Sequence, residues 1–259
     1  GRPWPHVAVH AMSFYDADVD RLALVITVGD ECIGWNPAVQ AQNDPADKAP
    51  LLSDEDLFFR VRTQTRGDIV AMQHAQASGA FAARDFVILG TSTGFAEVWE
   101  LRLDHPGEPP KALQVIRVAG EILGVCLPEE ASFAVVLSVE GVPLVQSTDG
   151  QTLTPDECDD AALHIYGVED GVCSCMLRPE GRPCRSMALA HSEACAAWGV
   201  TSPDGFIQVF DSTSPGPSAA AFALDCCAAE ATRPVLAWCD DDRGLLAVGG
   251  VMEDVVVMR

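Results

Sequence analysis

The chain has 259 residues, of which 48% are hydrophobic, and its 38 acidic and 16 basic side chains give a formal net charge of −22. This length is sufficient for one large core, and all-β folds of this size commonly form a single domain. A negative field of this strength repels phosphate backbones, which argues against direct nucleic-acid binding, and it attracts basic protein segments. No apolar run approaches the ~20 residues that a membrane-spanning helix needs, so we expect no membrane span.

The first predicted elements are an inner strand over residues 5–15 and a hairpin over residues 22–36, whose turn carries acidic residues. Residues 37–56 are rich in Pro, Asp and Ala and show no useful periodicity, which predicts a surface insertion. Residues 58–64 alternate apolar and polar side chains, as a half-exposed outer strand does.

The second group of elements contains the clearest hairpin. After an inner strand at residues 69–75, the apolar run 86–89 leads through the turn Gly-Thr-Ser-Thr-Gly to a strand at 95–100, and an outer strand follows at 111–118. Glycine and Ser/Thr are poor helix formers, and the apolar runs on both sides are typical of strands. The segment therefore predicts a hairpin rather than a helix.

Three further groups follow in the chain. The third is predicted as an inner strand at 121–127, a hairpin at 133–147 and an outer strand at 161–168, followed by a second insertion at 169–185. The fourth is predicted as a strand at 186–192, a hairpin at 196–211 and a strand at 219–227. The fifth has a strand at 234–241 and a hairpin at 245–259, without an outer strand.

The hairpins resemble one another in sequence. Glu97 and Trp99 in the second group align with Gln208 and Phe210 in the fourth, and weaker copies occur in the other three groups. A strand–turn–strand unit that recurs five times predicts a repeat fold.

The segments GFAEVWE (residues 94–100) and GFIQVFD (residues 205–211) resemble the middle hairpin of a blade in the WD-repeat family. In that family a repeat of about 40 to 45 residues forms one four-stranded blade of a β-propeller. The matching third-strand positions are Trp35, Trp99, Gln146, Phe210 and Met258. The sequence departs from the family pattern because it has no literal Trp-Asp pair and no Gly-His pair.

The resemblance implies an all-β fold, a β-propeller of four-stranded antiparallel blades, with five blades in this chain as part of a seven-bladed ring. We expect a single WD40-like domain over residues 1–259. The predicted blades are residues 5–64, 67–118, 121–168, 186–227 and 234–259, with insertions at 37–56 and 169–185.

Such propellers usually serve as docking platforms. The resemblance therefore implies a non-enzymatic scaffold that binds other protein subunits in a hetero-oligomeric, multiprotein assembly and needs no cofactor. An alternative is a structural subunit that is held by its insertions and has no dedicated peptide site.

The turns between second and third strands provide the candidate binding site. Their acidic residues are Asp30, Glu31, Glu140, Asp204, Glu253 and Asp254. Because equivalent turns of a propeller lie at the same mouth, these side chains predict an interrupted carboxylate ring that receives a basic peptide or subunit. The alternative is that acids suit tight turns and keep the chain soluble.

The turn at residues 90–94 also matches the nucleophile-elbow pattern G-x-S-x-G, so an all-β serine hydrolase that uses Ser92 is a further alternative. That motif requires a helix after the turn. The residues that follow Gly94 predict a strand instead.

Ten cysteines are scattered without the spacing of a disulfide framework, and several, such as Cys126, lie in apolar runs. Buried reduced cysteines behave as small hydrophobic residues, so we expect an intracellular protein, cytoplasmic or nuclear. The N-terminal sequence has no signal-peptide pattern.

A thiolate zinc site is a weaker interpretation of the cysteines at 173, 175, 184 and 195. The C-x-C spacing is not the usual C-x-x-C knuckle, and no second pair follows at the spacing of a zinc finger. The pattern therefore favours loop and core thiols.

Three histidines fall near the ends of predicted inner strands: His10, His74 and His191. The WD-repeat family often has a histidine there in a buried hydrogen-bond relay with Ser, Asp and Trp. His191, Ser192 and Trp198 resemble part of that relay, which implies a structural histidine rather than a general base.

Overall fold

A computed structural model gives the fold. It describes residues 14–15, 23–35, 57–77, 84–102, 108–128, 131–140, 160–180, 187–192, 195–201, 205–213, 220–223, 235–239, 245–249 and 255–258. Within these ranges the chain is all β and forms five antiparallel sheets, four with four strands and one with three. The prediction of an all-β fold built from four-stranded antiparallel sheets is confirmed.

The first sheet contains β1 (Phe14–Tyr15), β2 (Ala23–Val28), β3 (Glu31–Trp35) and β4 (Leu57–Arg62), paired in chain order. β2 and β3 form the predicted first hairpin. β1 covers the last two residues of the inner strand predicted at 5–15. The rest of that strand and the predicted insertion at 37–56 lie outside the described residues.

The second sheet contains β5 (Ile69–Ala77), β6 (Arg84–Thr91), β7 (Phe95–Leu101) and β8 (Lys111–Arg117). The turn between β6 and β7 is closed by its own side chains, because Thr91 Oγ1 accepts the Phe95 N–H at 3.2 Å and lies 3.0 Å from Thr93 Oγ1. Gly94 has a φ of 79°, a conformation that favours glycine. The threonine hydroxyl groups of this turn therefore help to close the hairpin.

The third sheet contains β9 (Glu121–Cys126), β10 (Phe133–Glu140), β11 (Asp160–Gly167) and β12 (Cys173–Leu177). The hairpin predicted at 133–147 is wrong, because both edges of β10 are occupied, one by β9 and the other by β11. β11 is therefore the third strand, not the outer one, and the third-strand position predicted at Gln146 lies outside the described residues. β10 pairs with β11 over eight residues of each strand, and six residues of each strand are buried. The prediction failed because it took the nearest apolar residues after Glu140 as the partner strand.

The outer strand of the third sheet, β12, lies inside the segment predicted as an insertion at 169–185, so that prediction is wrong for Cys173–Leu177. β12 pairs with β11 along one edge only. Its residues are exposed or half-buried, so the strand lacks the apolar alternation by which sequence patterns identify a strand.

The fourth sheet contains β13 (Ala188–Ser192), β14 (Ala197–Thr201), β15 (Phe206–Asp211) and β16 (Ala220–Ala223). β14 and β15 form the hairpin predicted at 196–211. The fifth sheet contains β17 (Val235–Cys239), β18 (Leu245–Gly249) and β19 (Val256–Met258) in the part of the chain that is described.

The sheets pack face to face in chain order. Val87 and Trp99 of the second sheet share an apolar cluster with Val25 and Val61 of the first, and equivalent clusters join the later sheets. Within β10, neighbouring residues of a fully buried run face different sheets, because a strand alternates its side chains between two faces. A strand between two packed sheets is therefore apolar on both sides, which explains the continuous apolar runs in the sequence.

Candidate functional site

The turn ends of the first and second sheets lie side by side. The carbonyl of Gly29, in the β2–β3 turn, accepts the N–H of Ile69 at 2.7 Å. The carbonyl of Asp68, the preceding residue, accepts the N–H of Ser92 in the β6–β7 turn at 2.8 Å. The segment that enters β5 therefore joins the two turns through its own main chain.

The turn end of the second sheet also adjoins the third sheet. The N–H of Val118 donates to the carbonyl of Gly94 at 2.9 Å, and Gly120 follows two residues later. A Cβ on Gly120 would lie 2.3 Å from the carbonyl oxygen of Val139, so the two backbones are in close contact. We call this common side of the three sheets the turn rim, defined by residues 29–31, 92–94 and 139–140.

Three of the predicted acidic residues lie on the turn rim, and these are Asp30, Glu31 and Glu140. The other three, Asp204, Glu253 and Asp254, lie outside the described residues. The structure thus brings carboxylates of the first and third sheets to one side, while their binding of a partner stays a prediction.

Asp30 and Glu31 are paired with arginines of their own sheet. Arg62 Nε lies 2.8 Å from Asp30 Oδ2, and Arg60 Nε lies 3.6 Å from Glu31 Oε2. The hydrogen bond to Asp30 raises the pKa of Arg62. Both carboxylates are therefore partly neutralised, although each pair is solvent-exposed and screened by salt.

Glu140 lies at the edge of a small recess on the third sheet that opens to solvent. Its lining residues occupy every second position of β10, β11 and β12, with Arg178 one residue beyond β12, so their side chains share one face of the sheet. We call this site the third-sheet recess, defined by Ser138, Glu140, Asp160, His164, Met176 and Arg178.

The charges of the third-sheet recess do not cancel. Asp160 lies opposite Glu140 in the register of β10 and β11, and it forms an ion pair with Arg178. Glu140 is exposed and makes no ion pair within the described ranges. One carboxylate of the recess is therefore not compensated by a neighbouring cation.

The inner part of the recess is formed by Ser138 and His164. Ser138 is 1% exposed, and its Oγ has no hydrogen-bond partner among the described residues. Burial lowers the pKa of His164, an effect that the charge of Glu140 opposes, so the imidazole is neutral at pH 7. Its ring stacks on Tyr166 with centroids 5.9 Å apart. Ser138 and His164 thus line one recess without hydrogen bonding to each other.

Glu97 has a role that the sequence patterns did not reveal. Its side chain is fully buried, and its carboxylate accepts the N–H groups of Gln64 and Thr65 at 3.0 and 2.9 Å, the Thr65 hydroxyl at 2.7 Å and the Trp99 indole N–H at 3.1 Å. Gln64 and Thr65 follow β4, the outer strand of the first sheet. Glu97 therefore attaches the exit of the first sheet to the second.

Gln208 makes the corresponding contact between the third and fourth sheets. It is 2% exposed, and its Oε1 accepts the N–H of Glu180 at 2.5 Å, just beyond the outer strand of the third sheet. The sequence signal for this contact is a hydrogen-bond acceptor in an otherwise apolar strand, at the same repeat position as Glu97.

Ser92 is an exposed residue of the β6–β7 turn. The residues after the turn form β7, so the strand–turn–helix context of a nucleophile elbow is not met within residues 84–102. The G-x-S-x-G match is a hairpin turn.

The cysteines singled out by spacing do not converge in the described part. Cys173 and Cys175 lie on β12, Cys195 precedes β14 of another sheet, and Cys184 is outside the described residues. Among the described side chains, no group of three or more His, Cys, Asp or Glu residues could hold a metal ion.

The histidines differ from one another in their surroundings. His74 Nε2 lies 3.1 Å from Asp85 Oδ1 in a buried pair between β5 and β6. The ring centroid of His191 lies 6.5 Å from that of Trp198. His10 is outside the described residues. His74 therefore has an acidic partner.

No helix among the described residues has the length and apolar character required to cross a membrane. No protein-family model and no curated protein matches the sequence. Fold comparison does find similar solved structures.

A structure of Kluyveromyces lactis Hsv2p matches with a TM-score of 0.50 and 13% identity, over 92% of this chain and 64% of that chain. A form of KlHsv2 with loop 6CD replaced by a Gly-Ser linker matches with a TM-score of 0.49 and 13% identity, over 92% of this chain and 62% of that chain. Hsv2p is a β-propeller. At this identity the likeness concerns the fold alone, and the chain described here is propeller-like. It spans less than two thirds of the length of either structure.

Proposed function

We propose that this chain is a WD40-like β-propeller that acts as a non-enzymatic scaffold for protein–protein interactions within a multiprotein assembly. The observation that supports it is the turn rim, where equivalent ends of successive sheets lie together and carry Asp30, Glu31 and Glu140. Because a fold does not by itself identify a function, the proposal depends on the charge and placement of these groups. Loops held by a rigid β framework are suited to binding.

The partners are other protein subunits, and the segment that contacts the turn rim is basic. The net charge of −22 and the uncompensated carboxylate of Glu140 both favour a cationic partner. Electrostatic complementarity of this kind raises association rates and is sensitive to salt. The same charge disfavours nucleic acid, and we place the protein inside the cell.

The five sheets are, in this proposal, blades of a larger ring of seven. The similarity between β7 and β15, each preceded by a turn with a positive-φ glycine, supports a WD-type repeat. The similar β-propeller is longer than this chain, which is compatible with further blades.

Affinity purification of the tagged chain from native extract, at low and at high salt, tests the scaffold role. We expect co-purifying proteins with basic segments, in amounts that fall as salt rises. Glu140→Lys should reduce their recovery. Glu169→Lys, which changes the charge of an exposed residue outside the turn rim, should leave it intact. Purification of the chain alone at both salt concentrations would contradict the scaffold role.

A further inference from the structure

We propose that the third-sheet recess binds the side-chain ammonium group of a lysine from a docked partner protein. The inference rests on the proposed scaffold function and specifies the chemistry of one position on the turn rim. It combines two independent features of the recess, a buried hydroxyl and an exposed carboxylate.

The first feature is the hydroxyl of Ser138. The side chain is 1% exposed, lines the recess, and has no hydrogen-bond partner in the described part of the chain. Buried polar atoms in proteins nearly always have a partner, and leaving one without a partner is unfavourable. A hydroxyl oxygen can accept a hydrogen bond, so a donor that reaches the base of the recess satisfies it.

The second feature is the charge of Glu140. It is the last residue of β10, two residues beyond Ser138, so both side chains are on the same face of the strand. Its carboxylate is exposed, whereas Asp160 across the strand is already bound by Arg178. A cation that enters the recess can therefore pair with the carboxylate of Glu140 without competing with Arg178.

The geometry favours an ammonium over a guanidinium group. Guanidinium groups prefer two parallel acceptors, and Arg178 already occupies the carboxylate of Asp160. An ammonium has three diverging donors and can reach a single hydroxyl and a separate carboxylate together. Met176, which is 49% exposed at the same recess, offers an apolar surface for the methylenes of a lysine.

A titration that reads the recess directly tests the inference. Protein with ¹³C-methyl methionine is titrated with Nα-acetyl-lysine methylamide, and the Met176 methyl signal, assigned with a Met176→Leu variant, is followed by NMR. We expect a saturable shift with the wild-type chain, and a Kd about tenfold higher for Ser138→Ala and for Glu140→Gln, the effect of losing one charge-assisted hydrogen bond. Glu169→Gln is the matched control and should bind as the wild type does.

Three results would overturn the inference. They are unchanged binding by both recess variants, equal binding of Nα-acetyl-arginine methylamide, and equal binding of Nα,Nε-diacetyl-lysine methylamide, which lacks the charge. Ser138→Ala removes only an unpartnered hydroxyl and should fold. If it does not, Glu140→Gln at the exposed edge still decides the outcome.

Failure of this inference is distinguishable from failure of the scaffold function. If proteins co-purify with the wild-type chain and are recovered equally with Ser138→Ala and Glu140→Gln, the recess is not the lysine site although the scaffold function stands. If no protein co-purifies, the scaffold function fails, whatever the titration shows.

Discussion

Glu97 of β7 and Gln208 of β15 occupy the same position in two sheets, and each accepts a main-chain N–H from the segment that leaves the preceding sheet. Neither oxygen is exposed to solvent to a significant extent, since Glu97 is fully buried and Gln208 is 2% exposed. The repeated feature is therefore an acceptor at a fixed place in the third strand rather than a fixed residue type. Neighbouring sheets are joined by polar contacts as well as by apolar packing.

Replacing Glu97 with alanine should lower the free energy of unfolding by about 3 kcal/mol, because it leaves the main-chain N–H groups of Gln64 and Thr65 and the buried indole N–H of Trp99 without their acceptor. Glu97→Gln keeps one acceptor oxygen and should have a smaller effect. Equilibrium denaturation in guanidinium chloride measures both. The exposed control Glu169→Ala should change stability by no more than about 0.5 kcal/mol, and an equal effect of Glu97→Ala would contradict this role.

Replacing Gly120 with alanine should destabilise the chain by more than about 2 kcal/mol. Gly120 has a φ of 86°, and a Cβ there would lie 2.3 Å from the carbonyl oxygen of Val139. Gly29→Ala is the matched control, since φ is 59° there and the nearest atom to a Cβ is 3.7 Å away, so only the conformational cost remains. Thermal denaturation of the two variants should differ; equal midpoints would show that the close approach to Val139 is not limiting.

The chain should lose stability at alkaline pH through Cys32 and Cys126. Burial raises the pKa of each thiol to about 12, whereas an unfolded cysteine has a pKa of about 8.5. Between these values only the unfolded chain loses the protons, so the free energy of unfolding falls as pH rises, by about 1.4 kcal/mol per pH unit for each thiol. Below pH ~8.5 this contribution is fully present. Denaturation at pH 8 and pH 10 should show a smaller decrease in a Cys32→Ala, Cys126→Ala variant than in the wild type, and parallel decreases would refute the assignment.

Thiol reactivity in the folded protein should follow exposure. Cys173 is exposed on β12, whereas Cys32 and Cys126 are buried and held as thiols, and maleimides react with the thiolate. Mass spectrometry after brief labelling at pH 7.5 should find Cys173 modified well before the other two. Labelling in denaturant should remove the difference. Early modification of Cys126 would mean that the sheet interface opens readily.

The first, second and fourth hairpins could be predicted because each has an apolar run, a short turn and a second apolar run that are local in sequence. The third sheet could not be predicted in the same way. β10 pairs with β11, which begins at Asp160, and local patterning offers the nearer apolar residues after Glu140 as a false partner. The outer strand β12 is too polar to stand out.

The candidate site was predictable only in part. Acidic residues in equivalent turns placed Glu140 on the turn rim, because the repeat itself implies that these ends coincide. The third-sheet recess was not predictable, since Ser138 shares it with Met176 and Arg178 only through the pairing of three strands whose order does not follow from local patterning. The buried hydroxyl is also indistinguishable from an ordinary strand serine until its surroundings are known.

β10 has apolar side chains on both faces, and this has a consequence for how the strand finds its alignment. If β10 slipped by one residue, Val136 and Leu137 would exchange between the interfaces with the second and the fourth sheet. Both interfaces are apolar, so the hydrophobic effect alone would not oppose the slip. Misalignment is instead penalised at the strand end, where Ser138 and Glu140 would turn towards the fourth sheet. Ser138 and Glu140, which line the recess, thus also help to fix the register of β10 in the third sheet.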